Sequence, residues 1–125
     1  MKFNKQKDAG VKRIFRLTST MEIKRIRRSG KSYAHPLMVL IIMPNELGRS
    51  RFAVSAGRSV GKAVQRNRAK RMLREAIRPI IHSITTGWDI ILIARPLQVS
   101  ASFQDTQMAL TELLQRAQLL YVNND

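Results

Sequence analysis

From Arg58 to Arg78 the chain spaces its cations so that a helix would gather them on one side. Asn67, Lys70, Arg71, Arg74 and Arg78 recur at steps of three and four. Ala69, Met72, Leu73, Ala76, Ile77 and Ile80 keep the same period on a second stripe. One amphipathic helix is expected over 58–78, running on to about His82. Its chemistry is recognition of a polyanion. An ordinary solvated helix face interleaves both signs, because Glu–Lys pairs four apart support the helix. Here only Glu75 offsets the cations. Lys62, Arg66 and Arg68 also stand in the first turns, where the helix dipole disfavours positive charge. Repeated breach of a local stability rule points to a binding surface.

The composition agrees. Lys and Arg number 23 against 8 Asp and Glu, a formal +15 on 125 residues. Such an excess repels itself in a compact state and calls for a partner of opposite sign. A hydrophobic content of 44% separates the chain from disordered ones, and its length suits one domain with a modest core. No apolar run reaches membrane-spanning length, and the first residues lack the apolar stretch of a signal peptide. The apolar stripe lacks the aromatic anchors of an interfacial helix. Cysteine is absent, which excludes disulfides, thiolate metal sites and thiol nucleophiles. The reading is a cytoplasmic protein with no membrane partner.

Catalytic groups are not assembled. His35 and His82 are far apart, and neither has a partner at triad or metal-ligand spacing. Both read as structural or surface residues. Asp89 and Glu75 are isolated carboxylates, so no acid–base pair or two-metal cluster is indicated. Gly57-Arg-Ser-Val-Gly61 precedes a helix but lacks the Gly-Lys-Ser/Thr ending of a nucleotide loop. Its amides could still hold one phosphate of a nucleic acid.

The elements that position these residues follow from local pattern. Residues 1–15 are basic and patternless, read as a flexible arm. A first helix is expected from Thr18 to about Ser29, with Ser19 as N-cap, Glu22 three residues on, and Gly30 as the stop. Tyr33 falls in a strand segment before the apolar run Leu37–Met43, a central strand. Arg51–Gly57 is the next strand. Phe52, Val54 and Ala56 point one way, and the small Ala53, Ser55 and Gly57 the other. That small face fits either a closely packed helix or the floor of a groove. Trp88–Ala94 is a further buried strand. A last helix spans about Ser102–Leu120, with Ser102 and Asp105 resembling a capping box and Phe103, Met108, Leu110, Leu113, Leu114 and Ala117 facing inward. Residues 122–125 read as a frayed tail. The order of elements gives a single-domain α+β sandwich over 16–121.

Helix-turn-helix and zinc-finger spacings are absent. So is the aromatic strand motif of common RNA-recognition domains, with aromatics at only 6%. Recognition of a folded RNA by shape and charge fits best.

The run Gly61-Lys-Ala-Val-Gln-Arg66-Asn67-Arg68-Ala-Lys70-Arg71-Met-Leu-Arg74-Glu75 closely resembles the signature of the bacterial ribonuclease P protein subunit. Arg16-Leu17, Gly30, Val54-Ser55 and Asp89–Arg95 extend the resemblance over about residues 11–120. It implies an α-β sandwich with a mixed four-stranded sheet and a left-handed β-α-β crossover, a split fold also found in ribosomal proteins. It implies a protein subunit assisting an RNA subunit that removes the 5′ leader of precursor transfer RNA. Magnesium would be bound mainly by the RNA and not by the protein alone, with no obligate protein partner. Lys62, Arg66, Asn67, Arg68, Lys70, Arg71 and Arg74 would face the RNA subunit. Ile23, Arg27, Tyr33, Ser55 and Arg58 would line a leader groove between the first helix and the sheet. Family members often carry Phe at the positions of Ile23 and Arg27, and an aromatic around Ile41. Here Arg27 would grip the leader by guanidinium stacking or a phosphate contact, more electrostatically and less base-selectively. The competing readings are a ribosomal or other structural RNA-binding protein and a DNA-packaging protein.

Overall fold

In the computed structural model residues 16–120 are described; the basic arm and the tail read from the sequence lie outside them. The elements are α1 (Thr20–Ser29), β1 (Lys31–Ala34), β2 (Met38–Pro44), β3 (Arg51–Ala56), α2 (Ala63–Ile77), β4 (Trp88–Ala94) and α3 (Phe103–Arg116). They build one mixed sheet in the order β1-β2-β4-β3. β1 and β4 each pair antiparallel with β2, while β3 runs parallel to β4, joined to it through α2.

Alternation along the strands divides the core in two. Met38, Leu40, Ile42, Phe52, Ile90 and Leu92 face α2 and α3, where they meet Leu73, Ile77, Leu110, Leu113 and Leu114. Each fully buried aliphatic side chain there contributes about 1.5–3 kcal/mol relative to exposure. Ile41 and Ile91 face the other way, onto Leu17 and Ile26. That second cluster is small, because among the described residues α1 is the only helix on its side. The chain before α1 also joins the sheet: Leu17 N–H donates to the Phe52 carbonyl at 2.7 Å on the outer edge of β3.

The caps of α1 and α3 form as the sequence indicates. Ser19 Oγ accepts from the Glu22 amide at 3.3 Å, and Ser102 Oγ from the Asp105 amide at 2.9 Å. Gly30 ends α1 with extended backbone rather than a left-handed turn. It is needed for close approach: a Cβ there would lie 2.6 Å from the Ile26 carbonyl oxygen and 2.8 Å from Ile41 Cγ2.

Two expectations are corrected. The basic segment is three pieces, not one helix. Arg58–Val60 is a 3₁₀ turn, α2 starts only at Ala63, and Arg78–Ser83 is again 3₁₀. Gly61 makes the first break, at φ 144°, where a Cβ would collide with the Gln65 side chain. Pro79 follows the second break, since it lacks the N–H that would continue the helix. In α3, Phe103 and Met108 are exposed at 41% and 64% instead of facing inward. The buried stripe is Thr106, Ala109, Leu110, Leu113 and Leu114. Met108 stands two residues, about 200°, from Thr106 and so points away. The helix also ends at Arg116, short of Leu120.

A buried ion network fixes α1 against the sheet. Asp89 is 1% exposed. Its carboxylate accepts from Arg51 Nε at 2.9 Å, from Arg51 Nη2 at 2.8 Å and from Asn45 Nδ2 at 2.8 Å. The same guanidinium reaches Glu22 of α1 at 3.2 and 3.3 Å. Hydrogen bonding to Asp89 raises the Arg51 pKa above its ordinary value, against the lowering effect of burial, and Glu22 adds to the rise. A raised folded-state value means the stabilisation is full below that ordinary value, so it is undiminished at neutral pH. Arg51→Met should cost about 3–5 kcal/mol, because it leaves Asp89 buried with only Asn45. Glu22→Gln, at a partly exposed site, should cost about 1 kcal/mol or less. Urea unfolding of both variants checks the order; an equal loss would mean that Asp89 does not need its arginine.

Candidate nucleic-acid interface

The α2 surface is built from the β3–α2 connection outward. Val60 is buried and anchors the turn. The Lys62 amide donates to Gln65 Oε1 at 2.8 Å, which satisfies one of the orphan donors at the start of α2. Ala69, Leu73, Ala76 and Ile77 bury one stripe. Asn67, Arg68, Arg71 and Lys62 are exposed on the far side, as is Arg78 in the following 3₁₀ turn. Arg66 is different: it folds back, and Nη1 donates to the Gly61 carbonyl at 2.9 Å. It braces the loop that presents the helix. Lys70 and Arg74 are half-buried on the flank turned to the β3 edge. Among the described residues no carboxylate bridges the cations of this face; the pairs His35–Glu112 and those around Arg51 lie elsewhere.

The opposite face of the sheet is half covered. Register sets rows across the strands. Ser32, Ile41, Ile91 and Ala53 form one row, and Ala34, Val39, Ile93 and Ser55 the next. α1 lies over the first, with Ile26 on Ile41 and Ile91. Among the described residues no helix covers the second, whose Val39, Ile93 and Ser55 are half-buried. The helix step of about 100° tells which side of α1 looks onto that open row. Glu22 and Arg25 point the other way, to Arg51 and to Met43. Ile23 and Arg27, four residues apart, therefore flank the open row. Helix geometry thus puts Ile23 and Arg27 on the side of α1 nearest the row that holds Ser55, and the exposed Arg58 follows just past the end of β3. The small face of β3 is divided: Ala53 packs with Leu17 and Ile23, while Ser55 lies half-buried in the open row.

Tyr33 does not join that groove. It pairs with Leu40, so it points to the α3 side of the sheet, where it packs against the main core. Lys31 Nζ and Arg116 Cζ sit 5.5 and 5.9 Å from its ring centre, a double cation–π arrangement. Arg116 also donates to the Ala34 carbonyl at 2.9 Å. Neither cation was singled out by sequence, because nothing local links position 116 to position 33.

The remaining candidates are structural. His35 Nδ1 accepts from the Leu37 amide at 3.0 Å and shapes the β1–β2 turn. His82 is exposed. The carboxylates of Glu22 and Asp89 are both spent on Arg51. Among the described residues no group of three or more His, Asp or Glu could hold a metal ion.

The relatives agree with this geometry. The family model for ribonuclease P matches residues 11–118. The ribonuclease P protein component of Herpetosiphon aurantiacus is 41% identical over 104 residues, covering 83% of this chain and 85% of that one. That of a Thermoanaerobacter species is 34% identical over 114 residues, covering 91% and 97%. Among solved structures, the Staphylococcus aureus RNase P protein superposes with a TM-score of 0.77 at 29% identity, covering 86% and 98%. The Thermotoga maritima protein gives 0.73 at 30%, covering 81% and 96%. With the family model matching residues 11–118 and relatives of 34% and 41% identity covered over most of their length, this chain belongs to the ribonuclease P protein family and is a protein subunit of that transfer-RNA-processing enzyme, in which RNA is the catalyst.

Proposed function

We propose that this chain works as a two-sided RNA clamp: α2 docks on the ribonuclease P RNA, and the groove beside α1 holds the 5′ leader of precursor transfer RNA. The observation that carries the reading is geometric. Two surfaces suited to RNA lie on opposite sides of one sheet and approach each other round its β3 edge. Lys62, Asn67, Arg68, Lys70, Arg71 and Arg74 engage phosphates of the RNA subunit, with Arg66 holding the loop in place. Arg27 and Arg58 engage leader phosphates, while Ile23 and Ser55 give the strand a shallow floor. The chain contributes binding and orientation. It lowers the free energy of the correctly seated substrate and screens phosphate repulsion that magnesium, held mainly by the RNA, otherwise has to screen. The cell compartment is the cytoplasm in this reading; no helix of the described residues is long and apolar enough to cross a membrane.

The central test is reconstitution. With a cognate ribonuclease P RNA, the protein should raise cleavage of precursor transfer RNA at low magnesium and be inactive alone. No enhancement would favour a structural RNA-binding protein instead. Binding to the RNA subunit should weaken with salt, with log affinity falling by about 0.7–0.9 per phosphate contact and at least about four contacts in all. A slope near zero removes the electrostatic premise.

The two surfaces should separate by mutation. Arg68→Ala and Arg71→Ala should each weaken assembly with the RNA subunit by roughly 1.5–3 kcal/mol where the contact is desolvated, and less where it stays exposed. Fold stability should hardly change, since both side chains are exposed. Arg27→Ala should leave assembly intact and weaken only substrates that carry a leader. Tyr33→Ala, on the far side of the sheet from the groove, should not share that leader-specific loss. Paired binding of each variant to the RNA subunit, then of each holoenzyme to substrates with and without leader, reads the pattern. Equal loss of assembly in all variants would mean one diffuse cationic surface.

A further inference from the structure

At the β3 edge, between the start of α1 and the flank of α2, lies a cavity of about 300 Å³. Leu17, Ile23, Phe52, Ala53, Val54 and Ile77 form its apolar lining, and Arg16 and Arg74 stand among its walls. We propose that this cavity takes one unstacked nucleotide of RNA, its base against the apolar lining and its phosphate between Arg16 and Arg74. The inference rests on the RNA-binding reading above, but it adds a site that neither the exposed row of α2 nor the open row of the sheet provides.

Four observations lead there. First, Arg74 is half-buried, yet its guanidinium makes no hydrogen bond or ion pair with any described residue. A desolvated cation normally finds an acceptor. Second, it has a like charge for a neighbour. Burial and then the charge of Arg16 both lower its pKa, although a guanidinium stays charged at neutral pH. An anion between the two relieves both costs. Third, the volume sits at the lower end of small-ligand pockets, about 300–1,000 Å³, which suits a single nucleotide and not a stacked helix. Fourth, charge selects the occupant. Residues 1–15 carry Lys2, Lys5, Lys7, Lys12 and Arg13 against Asp8, and a second copy carries the same +15. Both are repelled by the two arginines, whereas RNA is attracted. Ile23 and Ala53 connect the cavity to the groove, and Arg74 connects it to α2. A nucleotide can therefore arrive from the leader or from the RNA subunit.

The test uses the full-length protein with labelled methyl groups, observed by nuclear magnetic resonance. Adenosine 5′-monophosphate should shift the methyl signals of Leu17, Ile23, Val54 and Ile77. Adenosine alone and inorganic phosphate alone should each act far more weakly. Arg74→Gln should weaken nucleotide binding about tenfold or more, the weight of one charge-assisted contact. Ala53→Leu fills the cavity without changing charge and should abolish the methyl shifts. Silence of these methyls to the nucleotide, or equal shifts with phosphate alone, overturns the proposal whatever the variants do. Source is read by adding the RNA subunit, then precursor with or without leader. A shift at the first step assigns the nucleotide to the RNA subunit, and one that needs the leader assigns it to the leader; no shift at either step also overturns it. Cleavage enhancement measured on the same wild-type sample separates the two hypotheses, since enhancement with a silent cavity removes this site alone.

Discussion

The Arg51–Asp89 pair is the contact on which the arrangement of the binding surfaces depends. α1 has little apolar area to hold it: Ile26 is its one buried residue, resting on Ile41 and Ile91. An apolar contact that small is non-directional and would allow the helix to slide across the sheet. The guanidinium of Arg51 ends that freedom, because it binds Asp89 in two places and Glu22 of α1 with the same planar group. Asp89 is covered and cannot be released to water without a large cost, so the pair also fixes where the first turn of α1 can lie. With that turn pinned over one end of the strands, the row of Ala34, Val39, Ile93 and Ser55 stays uncovered. The groove is thus a consequence of anchoring a short helix by charge at one end of a sheet that it is too narrow to cover.

The sheet then acts as a partition. On one side two helices seal the main core and α2 turns its cations outward. On the other, the one helix among the described residues leaves a strip open. Alternation along β3 assigns Ala53 and Ser55 to the open side and Phe52 and Val54 to the sealed side. One strand therefore contributes to both surfaces, and its outer edge, where Leu17 pairs with Phe52, is where they meet. A disturbance of β3 would be felt on both sides, whereas exposed arginines of α2 can change without touching the groove.

Much of this was legible in the sequence, for physical reasons that can be named. Ser19 and Ser102 signalled helix starts, because a hydroxyl before an apolar-periodic run has an orphan amide to accept from. The apolar periods of α2 and α3 located the core-facing stripes, and the small residues of β3 located an unusual face. Other features were hidden. The basic segment reads as one helix because its stripe runs unbroken through Ile80, and periodicity is blind to a turn that changes from α to 3₁₀. Only Gly61 and Pro79 mark the breaks. The resemblance puts Tyr33 in the groove, and the sequence offers no check on it, because β2 is apolar on both faces. Without alternation in β2 there is no way to tell which face its neighbour shares, and a shift of one residue in register reverses the answer. The resemblance turns Arg66 to the RNA subunit, but it stands near the buried stripe and its hydrogen bond to Gly61 has no mark in the sequence.

The carboxylates explain why the charge excess can be tolerated without being cancelled. Of the few acidic residues, Asp89 and Glu22 are committed to Arg51, and Asp105 stands in the first turn of α3. They serve the fold, at places where a negative charge is locally favoured by a guanidinium or a helix start. The cations of α2 receive almost none of that compensation, and at Arg74 burial and the neighbouring Arg16 work against the charge. A free protein so arranged keeps its stability in the strands and the α2–α3 core and leaves its repulsion at the surface. Binding of a polyanion then does two things at once: it makes the missing contacts, and it removes a self-repulsion that the free chain carries. Association should therefore stabilise the protein by more than its direct contacts alone would give, with the excess concentrated where like charges are closest, at the α2 flank beside β3.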